Sequence, residues 1–118
     1  MAAVAQDDVA DAAVAVLRDP AAHAGARYDL TGPEALTLSE AAAVITEVNG
    51  RPTRFVNETL DEAYASRASY GAPDWQVDAW VSTYTAIARG ELAAVSDDVQ
   101  TLTGRPPLGL RALLRAAD

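Results

Sequence analysis

Aromatic side chains offer the best candidates for a functional site in this sequence. Five of them lie between positions 64 and 84: Tyr64, Tyr70, Trp75, Trp80 and Tyr84. Aromatic rings with polar tips commonly line apolar pockets, so this cluster predicts a pocket for a small apolar ligand. The helical spacing of Trp80 and Tyr84 favours core positions for these two, in which case Tyr70, Trp75 and their neighbours line the pocket.

Carboxylates and histidine could also do chemistry, but their positions argue against a catalytic role. The acidic pairs are Asp7/Asp8, Asp61/Glu62 and Asp97/Asp98. Each pair stands at the start of a predicted helix, where acids stabilise the positive helix end, and adjacent residues on a helix do not face each other. We interpret Asp7, Asp8 and Asp11 as caps and a solvated face. His23 lies in a loop of Ala and Gly and is expected to be exposed. No catalytic residue is predicted.

Missing residue types exclude much of the remaining chemistry. The 118 residues contain no Cys and one His, which excludes thiol nucleophiles, disulfides and metal sites built from several Cys or His ligands. All nine basic residues are Arg, so no Lys can bind phosphate or form a Schiff base. The seven glycines are scattered and form no phosphate-binding loop. We therefore predict no metal site and no cofactor bound by the chain alone.

The charge of the chain restricts its partners and location. The net charge is −8 and the isoelectric point about 4.4, which argues against nucleic acid and anionic membranes as partners. No apolar run approaches the roughly 20 residues that span a bilayer. The first six residues have no basic residue and no long apolar stretch, so they do not resemble a secretory signal. We predict a cytoplasmic protein.

Apolar stripes and capping residues predict an α/β fold dominated by helix, in a single domain over residues 1–118. The predicted helical segments are 8–18, 38–48, 59–69, 73–89, 96–102 and 108–117. Two short strands, Arg27–Leu30 and Thr53–Val56, flank the second helix. A strand, a helix and a strand at this spacing form a small parallel, right-handed βαβ unit, with four to five further packed helices. A two-stranded parallel sheet is poor on its own, which indicates a missing neighbour.

Several short motifs occur in an order that resembles one known family over most of the chain, from about Asp7 to Leu114. They are Asp-Asp-Val-Ala-Asp-Ala-Ala at 7–13, Tyr-Asp-Leu-Thr-Gly-Pro-Glu at 28–34, Leu-Ser-Glu-Ala-Ala at 38–42, Gly-Arg-Pro at 50–52, Ile-Ala-Arg-Gly at 87–90, Val-Ser-Asp-Asp-Val at 95–99 and Leu-Thr-Gly-Arg-Pro-Pro at 102–107. This order resembles the C-terminal, substrate-binding part of the NmrA-like atypical short-chain dehydrogenase/reductases. It is especially similar to their NAD(P)H-dependent quinone and azo reductase members.

The resemblance implies descent from an oxidoreductase and leaves two functions open. Members of the family begin with a Rossmann half whose Gly-x-x-Gly-x-x-Gly loop binds the dinucleotide, and this chain has no such loop. One function is a non-catalytic small-molecule-binding or interaction module. The alternative is the C-terminal portion of an NAD(P)H-dependent quinone-type reductase, completed by a nucleotide-binding half on another chain. NAD(P)H is expected only if that Rossmann-domain partner is supplied.

The resemblance also implies an uncovered face. In the family, the first helix (Val9, Ala13 and Val16) and the strand at Tyr28–Leu30 pack on the missing sheet. A monomer rarely leaves a large apolar patch uncovered, so we expect self-association, a Rossmann-domain partner chain, or N-terminal residues folded over the patch. We favour a homodimer, because a two-fold contact needs one self-complementary surface. The alternative is that the Ala-rich face is too shallow to matter.

Overall fold

Six α-helices make up the regular structure of the chain in a computed structural model that describes residues 1–116. They are α1 (Gln6–Arg18), α2 (Leu38–Asn49), α3 (Leu60–Arg67), α4 (Asp74–Ala88), α5 (Asp98–Thr103) and α6 (Leu110–Ala116). A 3₁₀ turn at Ala68–Tyr70 follows α3. Each predicted helical segment is confirmed, apart from Ala117, which lies outside the described residues.

Reciprocal side-chain caps explain where α2 and α3 begin. The Thr37 hydroxyl accepts from the Glu40 backbone N–H at 3.1 Å, and the Thr37 N–H donates to the Glu40 carboxylate at 2.8 Å. Thr59 and Glu62 repeat this arrangement at the start of α3. Gly50 ends α2 in the left-handed conformation at φ 67°, which favours glycine. These local signals were all readable from the sequence.

The two capping glutamates should make stability depend on acid pH. Hydrogen bonds from Thr37 and Thr59 to the carboxylates lower the pKa of Glu40 and Glu62 below the ordinary glutamate value. A lowered folded-state pKa gives stability that is present above the unfolded pKa and is lost as pH falls through the folded pKa. The double variant Glu40→Gln/Glu62→Gln replaces both capping carboxylates with amides that do not titrate. We expect its free energy of unfolding, measured by urea titration, to fall less steeply below about pH 4.3 than that of the unchanged protein. An equally steep acid limb in this variant would contradict the prediction.

The predicted parallel βαβ unit is wrong, because residues 1–116 contain no strand. The Arg27–Leu30 segment is extended, but side chains near the start of α5 bind its backbone. The Asp29 N–H donates to the Asp98 carboxylate at 2.7 Å, and the Ser96 hydroxyl donates to the Asp29 carbonyl. At Thr53–Val56, the Thr53 N–H donates to the Thr46 hydroxyl at 2.8 Å. A β-ladder needs a second strand alongside, and no described segment supplies one.

The helices pack in three pairs around a small core. α1 contacts α5, α2 contacts α6, and α3 contacts α4. The buried apolar residues are all small: Ala5, Ala12, Ala41, Ala42, Val81 and Val99. The predicted stripe of α4 buries Val81 and leaves Tyr84 47% exposed. In α1, Ala12 is buried but Leu17 is 76% exposed. These helices therefore keep substantial apolar surface in contact with solvent.

The described chain is more open than a globular domain of its size. Its radius of gyration is 16.9 Å, whereas about 13.5 Å is typical for this length. Its accessible surface is 8220 Å², whereas a compact monomer of this mass exposes roughly 6,100 Å². The excess of about 2,100 Å² is surface that further protein or a ligand can cover.

Candidate functional site

An open, mostly apolar cleft between the start of α2, the segment before α3, and α4 is the best candidate for a binding site. We call it the main cleft; its volume is about 1010 Å³. Its apolar lining residues include Leu36, Leu38, Phe55, Val56, Leu60, Val81, Tyr84 and Ile87. A smaller side cleft of about 350 Å³ adjoins it and shares Phe55 and Tyr84. Together the clefts present an aromatic and aliphatic wall that suits a flat apolar molecule.

An ion pair between Arg67 and Glu58 lies at this wall and contacts Tyr84. The Arg67 guanidinium lies over the Tyr84 ring, 5.2 Å from its centroid, and binds the Glu58 carboxylate at 3.1 Å. Arg67 also donates to the Ala63 carbonyl at 2.7 Å. Glu58 neutralises the charge of Arg67. This part of the main cleft therefore contains the cation–π contact between Arg67 and Tyr84 but carries no net charge.

The structure brings one of the five predicted aromatic residues into the main cleft, and that residue is Tyr84. The Tyr64 hydroxyl donates to the Asp78 carboxylate at 2.9 Å, and this bond raises the pKa of Tyr64. Tyr70 packs edge-on against the half-buried Trp80, with ring centroids 5.8 Å apart. Trp75 is 71% exposed. Tyr84 is thus the member of the predicted set that a ligand in the main cleft would contact.

Phe55 and Val56 line the main cleft with Tyr84, although the sequence does not predict them as site residues. The sequence predicts a strand at these two residues, but they lie in an extended segment without a strand partner in the described residues. An apolar pair shortly before the capping threonine of a helix could have indicated a cleft at the helix start, but the same pattern is typical of a strand. His23 is also placed differently from the prediction, because it is half-buried and its Nδ1 lies 2.7 Å from the Tyr28 hydroxyl.

Asp8 is a second residue whose position differs from the prediction. The sequence predicts a cap or a solvated face, but the Asp8 carboxylate is fully buried. One carboxylate oxygen accepts from the Arg105 guanidinium at 2.7 Å, and the other accepts from the Leu108 N–H at 2.7 Å. Arg105 also binds Asp11, and the two acids raise the pKa of Arg105, with Asp11 the larger cause. Asp8 stands four residues before the buried Ala12, so the helical period places both on one face. The arrangement joins α1 to the segment before α6.

Two further features are absent from residues 1–116. No three His, Cys, Asp or Glu side chains within residues 1–116 form a group that could hold a metal ion. In the same range, no helix combines the length and apolar character needed to cross a membrane.

No protein-family model matches the chain. Comparison with curated proteins finds relatives that are named as reductases or oxidoreductases. The chain is 38% identical over 99 residues to the NAD(P)H azoreductase of Xenophilus azovorans, covering 84% of this chain and 34% of the relative. It is 30% identical over 106 residues to quinone oxidoreductase 2 of Escherichia coli, covering 90% and 37%. The chain thus spans about a third of the length of these curated relatives.

Solved structures agree with the sequence relatives. An NADPH-dependent quinone oxidoreductase from Escherichia coli superposes with a TM-score of 0.84 and 27% identity, over 99% of this chain and 42% of that chain. A Citrobacter triphenylmethane reductase complexed with NADP(H) gives a TM-score of 0.82 and 27% identity, over 98% and 40%. The chain is thus similar to a part of reductases that have a Rossmann-like fold. The similarity to a part of each relative agrees with the resemblance to the C-terminal part of the NmrA-like quinone and azo reductases that the motif order predicts.

Proposed function

We propose that this chain is a substrate-binding module that holds a flat apolar ring in the main cleft and does no redox chemistry by itself. The observation that carries the proposal is the open cleft of about 1010 Å³ with Phe55, Val56 and Tyr84 on its wall. Quinones and azo compounds, which the relatives' names mention, have flat conjugated systems that suit such a wall. The hydroxyl groups of Thr37 and Thr59 are engaged in helix caps, so apolar contact would dominate binding.

The chain should bind no dinucleotide on its own. A pyrophosphate needs closely approaching backbone N–H groups at a helix start, usually within a glycine-rich turn. Here α2 and α3 begin with threonine caps, and the net charge of −8 repels an anion. Titrations with a 1,4-naphthoquinone and with NADPH, followed by NMR, test both halves of the proposal. Quinone-induced shifts at the main cleft support it, whereas NADPH binding tighter than about 100 μM overturns the non-redox assignment.

Variants of the aromatic residues should separate the cleft from the rest of the predicted set. We expect Phe55→Ala and Tyr84→Ala each to weaken naphthoquinone binding by roughly 5- to 10-fold, because each loses an aromatic contact and its buried area. Trp75→Ala is the matched control, since Trp75 is 71% exposed and does not line the main cleft. Equal weakening by Trp75→Ala would move the binding site to the α3–α4 corner, as the complete aromatic set first suggested.

A second candidate function is the substrate side of a complete NAD(P)H-dependent reductase. It is favoured by the excess surface of about 2,100 Å² and by relatives of which this chain matches about a third. The chain would then need a nucleotide-binding half from another chain. Mixing it with the separately produced nucleotide-binding half of a relative should yield NADPH oxidation that depends on naphthoquinone, while the chain alone shows none. Absence of turnover despite formation of the mixed complex would count against this function.

A further inference from the structure

Arg67 is the only basic side chain that lines the main cleft within the described part of the chain. Its Nη1 nitrogen donates to three oxygens, which belong to the Glu58 carboxylate at 3.1 Å, the Ala63 carbonyl at 2.7 Å and the Ser66 hydroxyl at 3.0 Å. The guanidinium also lies over the Tyr84 ring, and the side chain is 17% exposed. These contacts on several sides hold the guanidinium in place at the wall of the main cleft.

The other two nitrogens of this guanidinium, Nη2 and Nε, donate to no protein oxygen among the described residues. In the same residues, no buried side-chain nitrogen or oxygen lacks a hydrogen-bond partner. Nη2 and Nε are therefore not sealed inside the protein, and water or a ligand can reach them. Because arginine presents its donors in one plane, fixing Nη1 also fixes the directions of the remaining N–H bonds. A ligand oxygen that accepts from this ordered side chain costs little further conformational entropy.

The charges around Arg67 favour a neutral acceptor over an anionic one. Glu58 already pairs with Arg67 at 3.1 Å, and the chain carries a net charge of −8. A carboxylate on the ligand would gain little from the neutralised guanidinium and would be repelled by the remaining negative charge. A neutral carbonyl oxygen can accept from Nη2 or Nε without adding a charge, and hydrogen bonds to charged donors are stronger than those between neutral groups.

We infer that Arg67 determines the specificity of the main cleft by donating from Nη2 or Nε to a neutral carbonyl oxygen of a flat ring that contacts Tyr84. The ligand class is then conjugated ketones and quinones, and an aromatic hydrocarbon of the same shape lacks this bond. The inference rests on the proposed function, because it assigns the polar contact of a ligand in the same cleft.

NMR titrations of the 118-residue chain with 1,4-naphthoquinone and with naphthalene test the inference, because the two ligands share a ring shape and differ in the carbonyl groups. Arg67→Met keeps a long apolar side chain but removes every donor. We expect it to lower the ratio of naphthoquinone affinity to naphthalene affinity about 10-fold. Arg67→Met/Glu58→Gln, which also removes the charge left on Glu58, should give the same ratio. Asn57→Ala is the control, since Asn57 is an exposed polar residue of the main cleft, and it should change the ratio by less than about twofold.

The possible results separate this inference from the proposed function. If Arg67→Met weakened both ligands equally, Arg67 would only pack against the ring, and the inference would be overturned while the proposed function stood. Loss of the ratio in Asn57→Ala, or binding of 1-naphthoate as tight as that of naphthoquinone, would also overturn the inference. Absence of shifts at the main cleft with either ligand would overturn the proposed function and the inference with it.

A second measurement applies if circular dichroism shows that Arg67→Met does not fold. The carbonyl carbons of ¹³C-labelled naphthoquinone should move downfield on binding to the unchanged protein, because a charged donor polarises the carbonyl bond. The same movement should persist in Asn57→Ala. Carbonyl carbons that do not move on binding, or that move only when Asn57 is present, would overturn the assignment of Arg67.

Discussion

Replacing Asp8 with alanine is expected to lower the free energy of unfolding by about 2–4 kcal/mol. The change removes the acceptor of the Leu108 N–H and one of the two carboxylates that bind Arg105. Breaking a fully buried ion pair costs about 3–5 kcal/mol, but the Arg105 side chain is 40% exposed and keeps Asp11, so its share is smaller. Urea unfolding at neutral pH, with a constant slope against denaturant, measures the change.

The neighbouring acid provides the control for this prediction. Asp7 has the same chemistry one position earlier but is exposed, so Asp7→Ala should change stability by no more than about 0.5 kcal/mol. Asp8→Asn keeps an oxygen that can accept from the Leu108 N–H but loses the charge that faces Arg105, so it should fall between the two alanine variants. If Asp8→Ala and Asp7→Ala behaved alike, the buried carboxylate would contribute nothing to the junction of α1 with the segment before α6.

The sequence predicts the helices well because their signals are local. Thr37 with Glu40 and Thr59 with Glu62 are capping boxes within four residues, and Gly50 marks a helix end. These signals act between near neighbours, so no knowledge of the rest of the fold is needed. The predicted strands failed for the opposite reason. A strand is completed by its neighbour, and the backbone of Asp29 is instead bound by side chains nearly seventy residues away.

The same difference between local and long-range signals explains which residues of the candidate site could be predicted. Residue type places Tyr84 in the predicted aromatic set, but its helical spacing favours the core, whereas it is 47% exposed and lines the main cleft. Its neighbours in the main cleft, Phe55 and Leu36, come from extended segments whose positions depend on long-range contacts. Asp8 shows how a local interpretation can mislead, because an acid in a first helical turn usually faces solvent. Its actual partner, Arg105, is 97 residues away, and only the helical period shared with Ala12 indicated burial.

Replacing Gly32 with alanine is expected to destabilise the fold by about 2–4 kcal/mol. An added Cβ would lie 2.0 Å from the Ala3 carbonyl oxygen and 3.1 Å from its carbon, so the backbone around Ala3 must move. That movement strains two hydrogen bonds to the same segment, from the Gly32 N–H to the Ala2 carbonyl and from the Leu36 N–H to the Met1 carbonyl. Gly32 does not have a positive φ, so the cost comes from the clash and not from backbone preference.

Gly109→Ala is the control for the effects of Gly32→Ala on stability and on binding. A Cβ at Gly109 would meet the Glu34 carboxylate at 3.4 Å and the Pro33 ring at 3.5 Å, which are ordinary contacts, so we expect a change within about 0.5 kcal/mol. Ala3 lines the side cleft, and the main cleft opens beside it at Leu36. Displacement of Ala3 should therefore also weaken naphthoquinone binding in the folded Gly32→Ala protein. If Gly32→Ala lost stability but bound the quinone as tightly as Gly109→Ala, the extended segment at Ala3 would support the fold without shaping the cleft.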